Sequence, residues 1–375
     1  MDARNLPDAL KAIMDKQGWT QSDLARELGV SQTWVSQASR GDRDPGIART
    51  ADYLGRIGWE VRITPKAERG PVNRRSFMTA AASVVIVPSV KGNPFQDPKY
   101  VRALADRSVR IRDELGGVPV ISTGLRDVRR VEPAVNSHDR ELQEASSELA
   151  GQTALNLYDA RRLEAAEKTA GLALALASRS GSHDAQARSF KVLSLISAAQ
   201  GHRERAAMYA HRGLTVPDIC DMERALLSAR LGRYLALIPG QERKARVALE
   251  HAGGVTNLPP LYEAEIAGNV GIALDNLRAH DQADAFLLRA ARFCAPSSPL
   301  CHALYLGHQV HSALHAGEPE VAADRMHALA RVAPLVTSSQ VNEQMSGILT
   351  ASERWATVPV IRDARDQLRG LLPKV

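Results

Sequence analysis

The chain has 375 residues, room for two or three domains, and 44% of them are hydrophobic, enough to build true cores. Aromatic residues make up only 4% while Ala, Leu and Arg recur, which argues against a sheet-rich fold and predicts an all-α architecture. The formal net charge of +6 permits a polyanionic partner without requiring one.

The first 75 positions hold 13 basic and 10 acidic residues, so half of the net charge sits in that fifth of the chain. Three cysteines, Cys220, Cys294 and Cys301, suit neither a paired disulfide framework nor the close spacing of a zinc site, which predicts reduced thiols. Met1 to Lys16 is polar and amphipathic without an apolar run, so no secretory signal is read there and a cytoplasmic protein is expected.

Leu6, Leu10, Ile13 and Met14 share one helical face, and Gly18 ends that helix. Thr20 caps a second helix from Gln21 to Leu28, closed by Gly29, and Ser31 caps a third. Gly41 to Pro45 is rich in turn formers, after which Ile47, Ala51, Leu54 and Ile57 form another apolar face. Trp59 to Ile63 alternates like a short strand or an extended tail. Three segments follow from this pattern: a small domain at 1–64, a Pro/Gly-bearing linker at 65–98, and a helical domain at 99–375.

Within the linker, Asn73 to Met78 followed by Thr79 to Val90 resembles a twin-arginine export signal, with Arg74 and Arg75 paired. Its place after a folded module, and an apolar run of about a dozen residues, too short to span a bilayer, favour a linker whose apolar part packs on a neighbouring domain. No membrane association is expected.

Beyond residue 100, turn signals near Ala160, Gly201, Gly240, His280, Gly317 and Pro359 recur at a loose period. Ala-rich helices follow most of them. The pattern resembles the tetratricopeptide repeat, in which a small residue early in the second helix lets each hairpin close. This predicts an α-solenoid.

The stretch from Thr20 to Gly41 has its own logic. Ala25 sits where two helices cross closely, Gly29 permits the positive φ of a three-residue turn, and Leu24, Leu28, Val30 and Val35 supply a small core. The helix after Ser31 then presents Gln32, Thr33, Ser36 and Gln37 outward. A Gln amide can pair with adenine N6 and N7, and a Thr methyl can touch a thymine methyl. The stretch resembles the helix-turn-helix of the phage repressor and Cro family.

That resemblance implies double-stranded DNA as partner, with Gln32 and Gln37 reading bases and Gln21 holding a phosphate at its helix N-terminus. Arg40 and Arg43 would follow the backbone. Trp34 departs from the small polar residue usual there, so it either stacks on a sugar or thymine or packs against the first helix. The family binds palindromic operators as homodimers, which implies a dimeric transcription regulator, repressor-like in type.

The whole arrangement also resembles the peptide-responsive regulators of Gram-positive bacteria, which join such a reader to tetratricopeptide-like repeats. A short signalling peptide is the ligand this implies. Counting back from Ala206, Ala245, Ala283 and Ala322 in the repeat register puts Lys191, Arg230, Tyr234, Asn269, His308 and His311 toward the concavity, and Asn276 shares a face with Asn269. Asn can pair with both groups of a peptide backbone, and Lys and Arg can hold a carboxylate. No phosphate loop, metal-spaced cluster or nucleophile elbow is found, so neither an enzyme nor a cofactor is expected. Two alternatives stay open: an interaction scaffold tethered to DNA by its N-terminal module, and a constitutive plasmid or phage repressor without ligand.

Overall fold

A computed structural model describes residues 6–42, 50, 53–54, 57, 59–64, 83–88, 93–255 and 257–373. Two compact units divide the chain, Met1–Pro94 and Phe95–Val375.

The first unit begins with α1 (Leu6–Gln17), α2 (Gln21–Leu28) and α3 (Gln32–Arg40). Each helix ends on a glycine in the left-handed region, Gly18 at φ 67°, Gly29 at 69° and Gly41 at 80°. There the chain reverses with the Schellman hydrogen bonds Trp19 N to Met14 O, Val30 N to Ala25 O and Asp42 N to Gln37 O. At the other ends, Thr20 and Asp23 form a reciprocal capping box on α2, while the Ser31 hydroxyl accepts from Trp34 N on α3. Leu10, Ile13, Leu24, Leu28, Val35 and Leu54 are buried together beneath these turns. Ala25 is 4% exposed at the helix crossing, as its size requires.

Two strands extend this unit, β1 (Trp59–Thr64) and β2 (Ser83–Pro88), antiparallel with Trp59 opposite Pro88 and Thr64 opposite Ser83. The all-α expectation therefore holds for the reader and the repeats, with one two-stranded sheet added. The expected linker over 65–98 also needs correction, because 83–88 is a strand of the first unit. Val84 to Val87 are all β-branched, stiff at χ1, and match the alternation of Trp59–Ile63. Arg74 and Arg75 lie outside the described residues.

The second unit starts at Phe95, four residues earlier than the predicted boundary. Its ring is buried, edge-on to Tyr100 at 5.4 Å, with the Arg130 guanidinium 5.0 Å from its centre. Helices α4 (Pro98–Leu115) and α5 (Ile121–Val131) lead into six hairpins. These are α6 (Arg140–Asp159) with α7 (Leu163–Ser180), α8 (His183–Ala199) with α9 (Arg203–Leu214), and α10 (Asp221–Leu235) with α11 (Glu242–Ala252). The array continues with α12 (Pro260–Asn276) and α13 (His280–Cys294), α14 (Pro299–Ala316) and α15 (Pro319–Val332), and α16 (Ser339–Ala351) and α17 (Pro359–Leu371). Of the six turn signals read from sequence, Ala160, Gly201, Gly240 and Gly317 fall between the two helices of one hairpin, and His280 and Pro359 open the second helix of theirs.

Left-handed residues make these turns: Arg161, Gly201, Gly240, Arg278 and Gly317 all have positive φ. The small residues expected early in the second helices, Ala206, Ala245, Ala283 and Ala322, are fully buried. Glycines complete the fit from the first helices. A Cβ on Gly232 would stand 3.1 Å from Ala245 O, and one on Gly271 3.1 Å from Ala283 O.

The end of α4 and the first hairpin are tied to the start of the last hairpin. Thr337 N donates to Leu115 O at 2.7 Å, and Gln340 Nε2 donates to the Tyr158 hydroxyl at 2.9 Å. Asp159 accepts from Gly117 N at 2.7 Å and from the Ser338 hydroxyl, while Arg161 pairs with Glu343. The solenoid thus closes end to end around an interior cavity. No described helix is long and apolar enough to cross a membrane.

Candidate nucleic-acid interface and ligand cavity

At the reader, α2 and α3 follow each other through the Gly29 turn, and the hydrophobic side of α3 (Trp34, Val35, Ala38) is buried. Opposite that side, Gln32 and Thr33 are exposed and Ser36 and Gln37 half-buried, all on the first two turns after the Ser31 cap. Gln21 is half-buried at the first position of α2, and Arg40 is exposed at the end of α3. Arg40 is held by Asp42, Nε to Oδ2 at 2.9 Å, an exposed pair that a phosphate could displace at little cost. The helix start at Gln32 thus carries amide, hydroxyl and methyl groups, and no ionised side chain in its first turn.

Trp34 is corrected. It is 8% exposed and its ring stands edge-on to Tyr53, with centroids 5.0 Å apart, so it belongs to the core and offers no stacking face to a sugar or base. Arg43 lies outside the described residues.

In the second unit the inner helices line a cavity of about 370 Å³, within the range of small-ligand sites. It brings together Lys191, Arg230, Asn269 and His308, four of the residues counted toward the concavity. Tyr234 is not among its walls. It is 1% exposed and packs against Ala206, Ala207 and Ala210. Asn276 lies at the C-terminal end of α12 and also stands apart from the cavity, because the seven-residue spacing carries it two turns along the helix, away from the lining. His311 is outside it too, 6.3 Å from the His315 ring.

The cavity wall is unusually rich in charge. Lys191 Nζ lies 3.1 Å from Glu223 Oε2, and Arg230 donates from Nε and Nη2 to Glu265 Oε1 at 3.1 and 2.7 Å. Burial pushes the Glu265 carboxyl up, but the charges of Lys191 and Arg230 outweigh it and hold the group at about 2. Burial dominates at Asp113 and Asp159 and raises both. The same effect, with the positive charge of Arg233 added, drives His308 well below its ordinary value, so its imidazole is neutral at pH 7.

Asn269 is committed within the protein: its Oδ1 accepts from Arg233 at 3.2 Å and its Nδ2 donates to Glu265 O at 2.7 Å. Arg112, Arg233 and Tyr305 were missed by the sequence count. Arg233 is one turn beyond Arg230, a spacing that could have marked it. Tyr305 fits only because Gly268 has no side chain, since a Cβ there would stand 2.0 Å from the ring.

Two helices joined by a tight glycine turn, the second capped and bearing a neutral polar face, make a helix-turn-helix. Residues 10–49 match the family model described as helix-turn-helix. The N-terminal segment is therefore similar to the helix-turn-helix family over these residues. Over 85 residues the chain is 27% identical to an uncharacterized HTH-type transcriptional regulator of Sinorhizobium fredii, spanning 23% of this chain and 43% of that protein. The chain thus covers less than half the length of this curated relative.

Among solved structures, the C-terminal part of a TPR repeat-containing protein from Cytophaga hutchinsonii is 12% identical, with 74% of this chain and 96% of that one covered, at a TM-score of 0.35. The apo form of RapI is 14% identical, with 75% and 77% covered, at 0.39. Bacillus thuringiensis PlcR, solved with the peptide PapR7 and DNA, is 10% identical, with 98% and 99% covered, at 0.32. At these scores the repeat assignment rests on the hairpin period and turn geometry given above.

Proposed function

We propose that this protein is a sequence-specific transcription regulator that binds a palindromic operator as a homodimer and is controlled by a ligand held in its solenoid. The observation that carries the reading is the pairing of Gln32, Thr33, Ser36 and Gln37 on the open face of a capped α3. Gln32 and Gln37 read base edges, Thr33 contacts a thymine methyl, and Gln21 with Arg40 and Arg43 holds the backbone. A single module of this size contacts one half-site, so two copies are needed for an operator.

The solenoid supports the control step. Its cavity has the volume of a small-ligand site and a wall of paired charges, and the contacts that close it join helices 182 residues apart in sequence. A ligand that binds the closed ring more tightly than an open one shifts the balance between the two, and through the dimer alters the spacing of the recognition helices. A short signalling peptide is the ligand class that this reading assigns.

The test is selection from random-sequence DNA by the full chain, followed by operator binding with and without peptide extracts of culture medium. The expected result is an enriched palindrome whose half-sites lie about 10 base pairs or a multiple apart, bound with an affinity that the extract changes. Enrichment of no sequence would remove the reader from the account. An affinity indifferent to every extract would leave a constitutive regulator.

A further inference from the structure

Taking as its basis the reading that the solenoid holds a ligand, we propose that the cavity is an anion site, in which Arg233 anchors the carboxylate or phosphate of a small, partly apolar ligand. Five cations line the cavity: Arg112, Arg188, Lys191, Arg230 and Arg233. Four of them face a carboxylate of the protein. Arg112 lies 3.5 Å from Asp113, Arg188 is 3.2 Å from Glu148, Lys191 is 3.1 Å from Glu223, and Arg230 is 2.7 Å from Glu265. Arg233 has none among the described residues; its partner is the neutral oxygen of Asn269.

That partner also fixes the direction of the site. Because Asn269 gives its Nδ2 to the Glu265 carbonyl, its oxygen is turned to Arg233 and occupies one of five guanidinium donors. The remaining acidic group of the wall, Asp159, is engaged by Gly117 N and Ser338 where the ring closes. It is therefore spent. Arg230 adds no excess, since Glu265 neutralises it and the Tyr234 phenol lies beside it.

Neutral donors line the same cavity. Tyr158 accepts from Gln340 with its oxygen, which leaves its own proton to donate. His308, kept uncharged by burial and by Arg233, carries one ring N–H. Leu155, Leu261, Ile272 and Leu304 complete the wall and would cover an apolar body. A guanidinium, a phenol and an imidazole lining one cavity with an apolar wall suit a carboxylate or a phosphate. The carboxylate could be the terminus of a short peptide, and the phosphate that of a small ester.

The test follows the thermal unfolding of the full chain, without DNA, at constant ionic strength. Three probes are used: inorganic phosphate, N-acetyl-dileucine as the free acid, and the same compound as its amide. At 10-fold excess over Kd an anion should raise the Tm by about 3 °C. The amide should raise it by less than a third of that. Arg233→Gln should abolish the shift, Arg233→Lys should keep part of it, and the exposed Arg292→Gln should keep all of it. Without ligand, Arg233→Gln should leave the Tm unchanged or raise it, since it removes a cation with no counter-charge; a fall would mark a purely structural role.

A shift from the acid alone assigns a carboxylate ligand, and one from phosphate alone assigns a phosphate. No shift from either anion, or an equal shift in Arg233→Gln, overturns the proposal. These outcomes are separate from those of the regulatory reading. An anion that raises Tm but leaves operator affinity unchanged keeps the site and removes the control. A failed shift leaves the DNA reader untouched.

Discussion

The reader and the solenoid place their polar residues in opposite ways. Among the described residues of the first unit the charges lie outside and the open face of α3 is neutral, set on a core of Leu, Ile and Val side chains. In the second unit the inner wall itself is charged, and Glu223 and Arg230 are at least nine-tenths buried there. Charge is therefore cheap on the first unit's surface and costly in the cavity, where Glu265 stays ionised through Lys191 and Arg230. Under the proposed function, a surface that exchanges partners along DNA gains from the first arrangement, and a site that selects one ligand gains from the second.

The sharpest way to break this contrast is at the closure of the ring. A Cβ on Gly116 would stand 2.3 Å from the Thr337 carbonyl oxygen, and its φ is 88°. Gly116→Val should cost about 4 kcal/mol, the sum of overpacking and a strained backbone. Urea unfolding of the full chain, followed by helical signal, measures it. Gly201 has a similar φ of 83° but nothing within 4 Å, so Gly201→Val should lose only about 1–2 kcal/mol. Equal losses at the two sites would mean that ring closure contributes nothing.

The next effect tests the charged wall. Glu265 falls from an ordinary 4.5 to about 2 in the folded protein. A lowered carboxyl stabilises the fold above pH 4.5, and that contribution disappears as pH falls toward about 2. Glu265→Gln should therefore lose on the order of 3 kcal/mol at pH 7 and make stability less steep in pH between those limits. An unchanged acid limb in the variant would show that Lys191 and Arg230 do not hold this group.

These two regions were not equally legible in the amino-acid sequence. The reader could be placed almost residue by residue, since its signals are local: Thr20 with Asp23, Gly29, Ser31 and the spacing of Leu24, Leu28 and Val35 all act within a turn or two. Trp34 was the open choice there, and only the packing of Tyr53, nineteen positions away, decides it. In the solenoid the hairpin turns were legible for the same local reason. The cavity was partly so, because counting along each helix gives a face but not the depth of a residue. Tyr234 and Asn276 were placed by such counting and stand outside the walls. Ring closure was not legible at all, since Leu115 with Thr337 and Tyr158 with Gln340 meet across some two hundred residues. The Val-rich strand at 83–88 was read as linker because its pairing partner lies beyond eighteen intervening residues.

A smaller effect sharpens the account of the reader. The Ser31 hydroxyl accepts from Trp34 N at 3.2 Å and orients the start of α3. Ser31→Ala should cost about 1 kcal/mol of the first unit's stability. Ser31→Asp should restore it, and thermal unfolding of the full chain would show both. No loss on Ser31→Ala would leave the direction of α3 to the Gly29 turn alone.

The most direct measurement is a comparison of binding-site selection by the wild-type chain and by a variant carrying both Gln32→Ala and Gln37→Ala. The account predicts that the wild type enriches a defined palindrome. It predicts that the variant keeps its weak general affinity but loses discrimination at the adenine positions by about 10-fold or more for each base pair read. A variant that enriches the same sequence as strongly as the wild type would contradict base reading by α3.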